Sequence, residues 1–339
     1  MNGDGTILLA HGGGGRLTQE LIREVFLPAF ANPALAALAD SAVLAALPAG
    51  RPALTTDAFV VDPPLFPGGD LGYLSVCGTV NDLAVAGARP VALTWAVVLE
   101  EGLEIALLRT FVAGAARAAA EAGVAIVAGD TKVVPRGKGD RAYVTTAGLG
   151  VVPTGRELGD HRIAVGDAVL VSGPLGDHGA TVMACRHQVG GEGLRSDCAP
   201  LAGLAETLLG SGADVRAMHD PTRGGLATTC HEVAARAGLV VALEQAAIPV
   251  RPEVRAVCEL LGLDPLYVAC EGRIVAFVAA GDADRAVAAL RGHPLGGGAE
   301  RVGTVEDRGA GRAPVVLRTL YNTERPLDLL AGAELPRIC

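Results

Sequence analysis

Four aspartates in this 339-residue chain have neighbours that suit phosphate chemistry. They are Asp57 in Thr55-Thr56-Asp57, Asp82 after Asn81, Asp130 in Gly129-Asp130-Thr131-Lys132, and Asp220 in Asp220-Pro221-Thr222-Arg223-Gly224-Gly225. The surrounding pattern places each near a strand end or a helix start. Small neighbours let phosphates approach the backbone, and magnesium often shares a few carboxylates with nucleotide phosphates and water. Singly, each aspartate reads more simply as a cap. Four in one chain tilt the reading towards a metal–nucleotide site. Gly224-Gly225, after Arg223 and before a helix, is the better candidate phosphate loop. The run His11-Gly12-Gly13-Gly14-Gly15-Arg16 also precedes a helix, but it matches neither a Walker loop nor a dinucleotide fingerprint and reads equally as a linker.

Lys132, two residues after Asp130, and Glu271, between Cys270 and Gly272 in an apolar stretch, are the candidate proton handlers. A carboxylate among apolar side chains keeps its proton to higher pH and can serve as a base. Both read equally well as paired structural charges, and His178 in Gly176-Asp177-His178-Gly179 as a structural histidine at a helix start. The last residue, Cys339, is the oddity. A thiol beside a terminal carboxylate is a poor thiolate but a good movable attachment point. By composition alone it is an incidental cysteine on a frayed end. The fourteen residues Pro326–Cys339 could reach at most about 46 Å when extended.

Positioning these residues requires regular elements. Apolar residues at 17, 21, 22, 25 and 26 give a helical spacing over Leu17–Phe30. Strands are expected at 53–61, 91–99, 124–128 and 143–152, and helices at 70–86, with Asp70 as N-cap, and 103–122. Glycines and Pro153 mark a seam at 153–166. Beyond it we expect strands at 168–172, 239–243 and 267–279, and helices at 177–189, 199–210, 225–237, 252–261 and 283–291. Mixed strands and helices in each half imply two α/β-type domains, 1–158 and 159–320, followed by a tail, 321–339, where periodicity fades and Pro326 and Pro336 oppose regular structure.

Half the residues are hydrophobic, aromatics are only 3%, and 46 are glycine, so the core is built from Ala, Val and Leu. The net charge of -9 argues against nucleic acid and against anionic membrane surfaces. MNGDGTILLA lacks a basic start followed by an apolar core, and no apolar run approaches the length of a membrane span. Seven cysteines without a C-x-x-C pair suggest neither a disulfide framework nor a zinc site. A cytoplasmic protein is expected.

Nearly end to end, the chain resembles the HypE family of hydrogenase-maturation carbamoyl dehydratases, within the superfamily of aminoimidazole ribonucleotide synthetase and selenophosphate synthetase. The resemblance rests on His11–Gly15, Thr55-Thr56-Asp57, Phe66-Pro67-Gly68-Gly69, Cys77-Gly78-Thr79 with Asn81-Asp82, and Leu99-Glu100-Glu101-Gly102. It continues through Gly129–Val134, Gly176–Ala180, Thr222–Gly225 and, most specifically, the terminal Pro336-Arg337-Ile338-Cys339. The Asp-rich motifs point to the superfamily; the tail with Gly-Asp-Thr-Lys points to the family.

The resemblance implies a homodimer whose N-terminal strands share a β-barrel, with a C-terminal sheet packed by helices and a flexible tail. It implies that a carbamoyltransferase loads Cys339, and that ATP and Mg²⁺ then convert the S-carboxamide to an S-cyanate. The cyanide would pass to iron on a scaffold complex for nickel–iron hydrogenase. Asp57, Asp82 and Asp130 would bind magnesium and phosphate. Asn81, Thr131, Asp220, Thr222, Gly224, Gly225, Gly13 and Gly14 would help hold the nucleotide, with Glu271 as base and Lys132 as its partner or as an oxygen-polarising group. Cys270 and His219 depart from the family's expected Asn and Arg. Two rivals remain: a superfamily enzyme that phosphorylates a free small molecule and does not need Cys339, and a carrier whose tail is modified elsewhere.

Overall fold

The computed structural model describes residues 5–190, 193–309, 312–330, 332 and 335–339. Its first half is built on a four-stranded sheet of β1 (Gly50–Phe59), β2 (Arg89–Glu100), β3 (Ala125–Val134) and β4 (Ala142–Pro153), in the order β1-β4-β2-β3. β2 and β3 run parallel, and the other pairs are antiparallel. β1 and β3 are therefore unpaired edges on opposite sides. Along β2, Leu93, Trp95, Val97 and Leu99 are buried whereas Thr94 is exposed. That alternation of period two gives the sheet one covered and one open face.

Two helices, α1 (Leu71–Val85) and α2 (Ile105–Ala122), supply the cover. α1 starts where expected, because the Asp70 carboxylate accepts the N–H groups of Gly72 at 2.9 Å and Tyr73 at 3.0 Å. Every residue of α1 except Asp82 is buried, so it is the central strut of the molecule. Gly72 lets α2 approach: a β-carbon there would lie 1.7 Å from the Phe111 carbonyl oxygen. The expected helix over Leu17–Phe30 is present as the helical segments Arg16–Leu21, Ile22–Phe26 and Leu27–Ala29.

The second half carries a seven-stranded sheet of β5 (Ala168–Val171), β6 (Val215–His219), β7 (Val240–Glu244), β8 (Val275–Val278), β9 (Glu300–Glu306), β10 (Val315–Arg318) and β11 (Glu324–Pro326). Their order is β11-β10-β7-β9-β5-β8-β6. Val169 and Val171 enter a core with Leu226 and Val233 of α5 (Gly225–Ala237). Ala168 and Leu170 enter another with Leu204 and Leu208 of α4 (Ala202–Leu209) and Leu290 of α7 (Ala283–Arg291). Helices on both faces explain why β5 and β8 are apolar throughout. The remaining helices are α3 (Asp177–His187) and α6 (Pro252–Leu261).

Several expectations need correction. The strand expected at 124–128 extends to Val134, so the Gly-Asp-Thr-Lys motif lies within a strand and not on a loop. Asp57 is likewise inside β1, and Asp82 is in the last turn of α1. Strands β6, β9 and β10 carry no strict alternation to betray them. The tail is not structureless: Pro326 ends β11, an edge strand where a missing N–H costs no ladder bond. Nor are its final residues free. Val60 donates to the Cys339 carbonyl and Asp62 to that of Arg337, each at 3.1 Å, so the chain end is laid antiparallel to the segment after β1.

Candidate functional site

A cavity of about 250 Å³ between the two halves is lined by Asp57, Phe59, Asp82, Asp220, Arg223, Glu271 and Cys339, among others. Each element delivers its residue for a local reason. Alternation along β1 turns Thr55, Asp57 and Phe59 towards α1, where Gly78 leaves room: its missing β-carbon would stand 2.9 Å from the Phe59 ring. Asp82, one turn further along α1, accepts the Thr55 hydroxyl at 2.6 Å. Asp220 follows β6, and a turn in which Gly225 N–H bonds the Thr222 carbonyl at 3.0 Å carries Thr222 and Arg223 into the cavity. Gly224 and Gly225 have φ of 76° and 58°, and a β-carbon on Gly225 would lie 2.7 Å from two carbonyl oxygens. These glycines shape the turn that presents the site.

Glu271 is 1% exposed, and its Oε1 has no hydrogen-bond partner among the described residues. Its N–H donates to Asp197 Oδ1 at 3.1 Å, and Gly272 beside it admits the Asp197 carbonyl, which would stand 1.7 Å from a β-carbon. Cys339 is 8% exposed, with Arg223 Nε donating to its Sγ at 3.2 Å. Arg223 was missed as a site residue in the sequence. Its only signal was its position before two glycines.

The electrostatics follow from crowding carboxyl groups in a buried pocket. Burial and then the charge of Asp82 push Asp57 up to about 6, while burial and then Asp82 push Asp220 up to about 7. Burial raises Asp82 against the Thr55 bond. Glu271 is held well above the ordinary carboxylate range by burial, then by Asp220. Burial, then Glu271, lifts the Cys339 thiol to about 11 although Arg223 opposes this, so the docked sulfur is not a thiolate at neutral pH.

Asp57, Asp82 and Asp220 thus share one pocket, and their mutual repulsion asks for a cation. Among the described residues no three metal-ligand side chains form a closed set. Asp130, expected with Asp57 and Asp82, does not join them within one chain. It lies on the opposite edge strand, three strand spacings or roughly 14 Å away. It also sits in the alternate row, facing Ala96 and not the row of Trp95, Thr146 and Asp57. Lys132 is with it, its Nζ 2.7 Å from both Asp130 oxygens, a bond that draws the Asp130 carboxyl below its usual range. Lys132 therefore does not meet Glu271 in one subunit.

Other expected residues have other employment. The Asn81 amide donates to Ala199 O at 3.1 Å and Glu271 O at 3.0 Å and accepts Leu201 N–H at 2.7 Å. It is a buried clamp between the halves, without a free group for a nucleotide. The Gly13 and Gly14 N–H groups are taken by Ala10 O and Thr18 Oγ1. Their loop packs on the far end of β3, where a β-carbon on Gly12 would meet Val133 N at 2.6 Å. Thr131 and Asp130 instead border a second cavity, about 260 Å³, lined by Phe26, Phe30, Trp95 and Ile126. The two departures are also absorbed: His219 Nε2 lies 2.8 Å from Asp160 Oδ1, and Cys270 Sγ accepts Gly176 N–H at 3.1 Å.

Residues 38–152 match the model of the AIR synthase related protein N-terminal domain, and 164–316 that of the C-terminal domain. The chain is 50% identical to carbamoyl dehydratase HypE of Rhodobacter capsulatus over 340 aligned residues, covering 99% of each. This chain belongs to the HypE family. A crystal structure of the hydrogenase maturation protein HypE in complex with ATP superposes with a TM-score of 0.94 at 44% identity, covering 98% of this chain and 100% of that one. HypE in a HypE–HypF complex matches with a TM-score of 0.79 at 42% identity, covering 91% and 99%. Seen as a HypE protein, the chain has its terminal cysteine sulfur inside the carboxylate pocket.

Proposed function

We propose that this chain uses ATP to dehydrate an S-carboxamide carried on its own Cys339. The product is an S-cyanate that supplies cyanide for the iron of a nickel–iron hydrogenase. The observation that supports this most is the Cys339 sulfur, held beside Arg223 in the pocket of Asp57, Asp82, Asp220 and Glu271. A terminal cysteine without a chemical role has no reason to be buried among carboxyl groups.

The carboxamide oxygen attacks the γ-phosphorus, ADP leaves, and the nitrogen gives up one proton. Loss of the second N–H proton and departure of phosphate with the C–O electron pair leave S–C≡N. Arg223 is placed to hold the oxygen that takes the phosphoryl group. Mg²⁺, with Asp57, Asp82 and Asp220 as the better-matched ligands, would offset charge on the phosphoryl oxygens. Glu271 becomes a base once cationic charge enters the pocket and releases its proton. Thr222 and the turn at Gly224-Gly225 would meet the phosphates, and the Trp95 cavity would take the nucleotide base.

The two cavities lie at opposite edges of one sheet. A homodimer that closes two such sheets into a barrel sets β3 of one subunit beside β1 of the other, so that Asp130, Thr131 and Lys132 act across the interface. The exposed residues of β1, including Leu54 at 78%, suit burial in such a contact. A carbamoyltransferase of the HypF kind loads the cysteine, and an iron-carrying scaffold accepts the cyanide. Both need the tail undocked. No described helix is long and apolar enough to cross a membrane, and the cytoplasm is the compartment we propose.

The test is intact-mass analysis after incubation with carbamoyl donor, transferase and ATP. A carbamoyl adduct that loses the mass of one water only with ATP, and is absent from Cys339→Ala, is expected. An adduct on another residue, or one unchanged by ATP, overturns the reading.

A further inference from the structure

We propose that His178, outside the carboxylate pocket, is the positioning residue that sets where the Cys339 sulfur stands. The proposal rests on the dehydratase reading above. His178 is fully buried at the start of α3, with its ring edge-on to Phe66 at 5.3 Å between centroids. Its Nε2 lies 2.8 Å from the carbonyl oxygen of Ile338, the residue before the cysteine, and its Nδ1 lies 2.8 Å from Ser196 Oγ.

These partners determine the tautomer. A carbonyl only accepts, so Nε2 carries the hydrogen and Nδ1 is an acceptor. Ser196 Oγ already accepts Cys198 N–H at 3.0 Å, which leaves its own hydrogen for Nδ1. The ring is locked at both ends and donates to one backbone atom of the tail. Ile338 itself is 3% exposed.

The same strut holds Glu271. Asp177, next to His178, is 3.4 Å from Arg273, and Arg273 is 3.5 Å from Asp197, whose Oδ1 accepts the Glu271 N–H. Through Arg273 these contacts tie the backbone at Asp177-His178 to the backbone at Glu271, so gripping Ile338 sets the sulfur against the same framework that carries the base. Arg186 holds the tail further back, at the Pro336 and Arg337 carbonyls, each at 2.8 Å. Those bonds capture the tail. The His178 bond registers its last residue.

A positioning role separates two reactions of the same cysteine. Loading by the transferase needs the tail out, and dehydration needs it in place. In His178→Ala, single-turnover dehydration of pre-carbamoylated protein should slow roughly five- to tenfold, the worth of one buried hydrogen bond. Loading should be no slower, and iodoacetamide should alkylate Cys339 faster by a similar factor without nucleotide. His178→Gln, which keeps a donor, should recover part of the rate. Ser196→Ala, which frees the ring but leaves it in place, should shift both readouts the same way and covers the case in which His178→Ala does not fold. Wild-type dehydration and wild-type protection of Cys339 in either folded variant overturn the proposal, as does an equal loss in loading and dehydration. If wild-type protein loses no water with ATP, the dehydratase reading fails instead, and the alkylation comparison still decides whether His178 clamps the tail.

Discussion

Replacing Asp220 by Asn should stabilise the nucleotide-free protein while destroying its use of ATP. Burial, then Asp82, raises the Asp220 carboxyl from 3.8 to about 7. A group whose folded value is raised contributes stability below its unfolded value, and that contribution is lost as pH rises through the folded value. The wild type is therefore penalised progressively from about pH 4 to 7, and fully at pH 8. A rise of about 3 units at 1.36 kcal/mol each sets a ceiling of about 4 kcal/mol. The cavity admits some water, so roughly 1–3 kcal/mol is the expected gain for Asp220→Asn. Urea unfolding at pH 8 and pH 5 measures it: the advantage should be largest at pH 8 and shrink towards pH 5. Mg–ATP should then raise the stability of wild type but not of the variant, because the carboxylate repulsion that weakens the empty site is what attracts the cation. A variant no more stable than wild type at pH 8, or an advantage independent of pH, would refute the electrostatic account.

The other outcomes follow from placement. Asp82→Asn should abolish ATP hydrolysis while leaving the fold intact, since Asp82 is the one unburied residue of α1; steady-state phosphate release checks this, and substantial residual turnover would remove Asp82 from the site. Mixing Lys132→Ala with Glu271→Gln protein under conditions of subunit exchange should recover roughly a quarter of wild-type activity if the two residues act across a two-fold interface. No recovery would return both to a single chain. Dehydration and alkylation rates of the His178 and Ser196 variants test the tail clamp, and the ATP-dependent loss of water from the Cys339 adduct tests the reaction itself.

Much of this was legible locally. The Asp70 cap, the glycine that ends α2, and the apolar run of β5 are decided by neighbours within a few residues, and those elements stand close to where the pattern put them, whereas the strand expected over 267–279 is confined to 275–278. Cys339 and Glu271 were singled out as an unusual thiol and an acid among apolar residues, and they line one cavity. Asn81 was misjudged because its motif partner Asp82 does face the pocket. Helical rotation turns adjacent residues about 100° apart, so Asn81 points into the opposite half.

The sequence by itself determined the strands of the first half and most of the helices, which residue types could meet phosphate, and that residue 339 carries a thiol. Only the tertiary structure decided that Asp57, Asp82 and Asp220 converge while Asp130 and Lys132 stand across the sheet, because strand order is a choice among pairings between distant segments. It alone decided that the tail is docked. The bonds that hold it join residues 60–62 and 178–186 to 336–339, and local spacing does not specify a contact across so much chain.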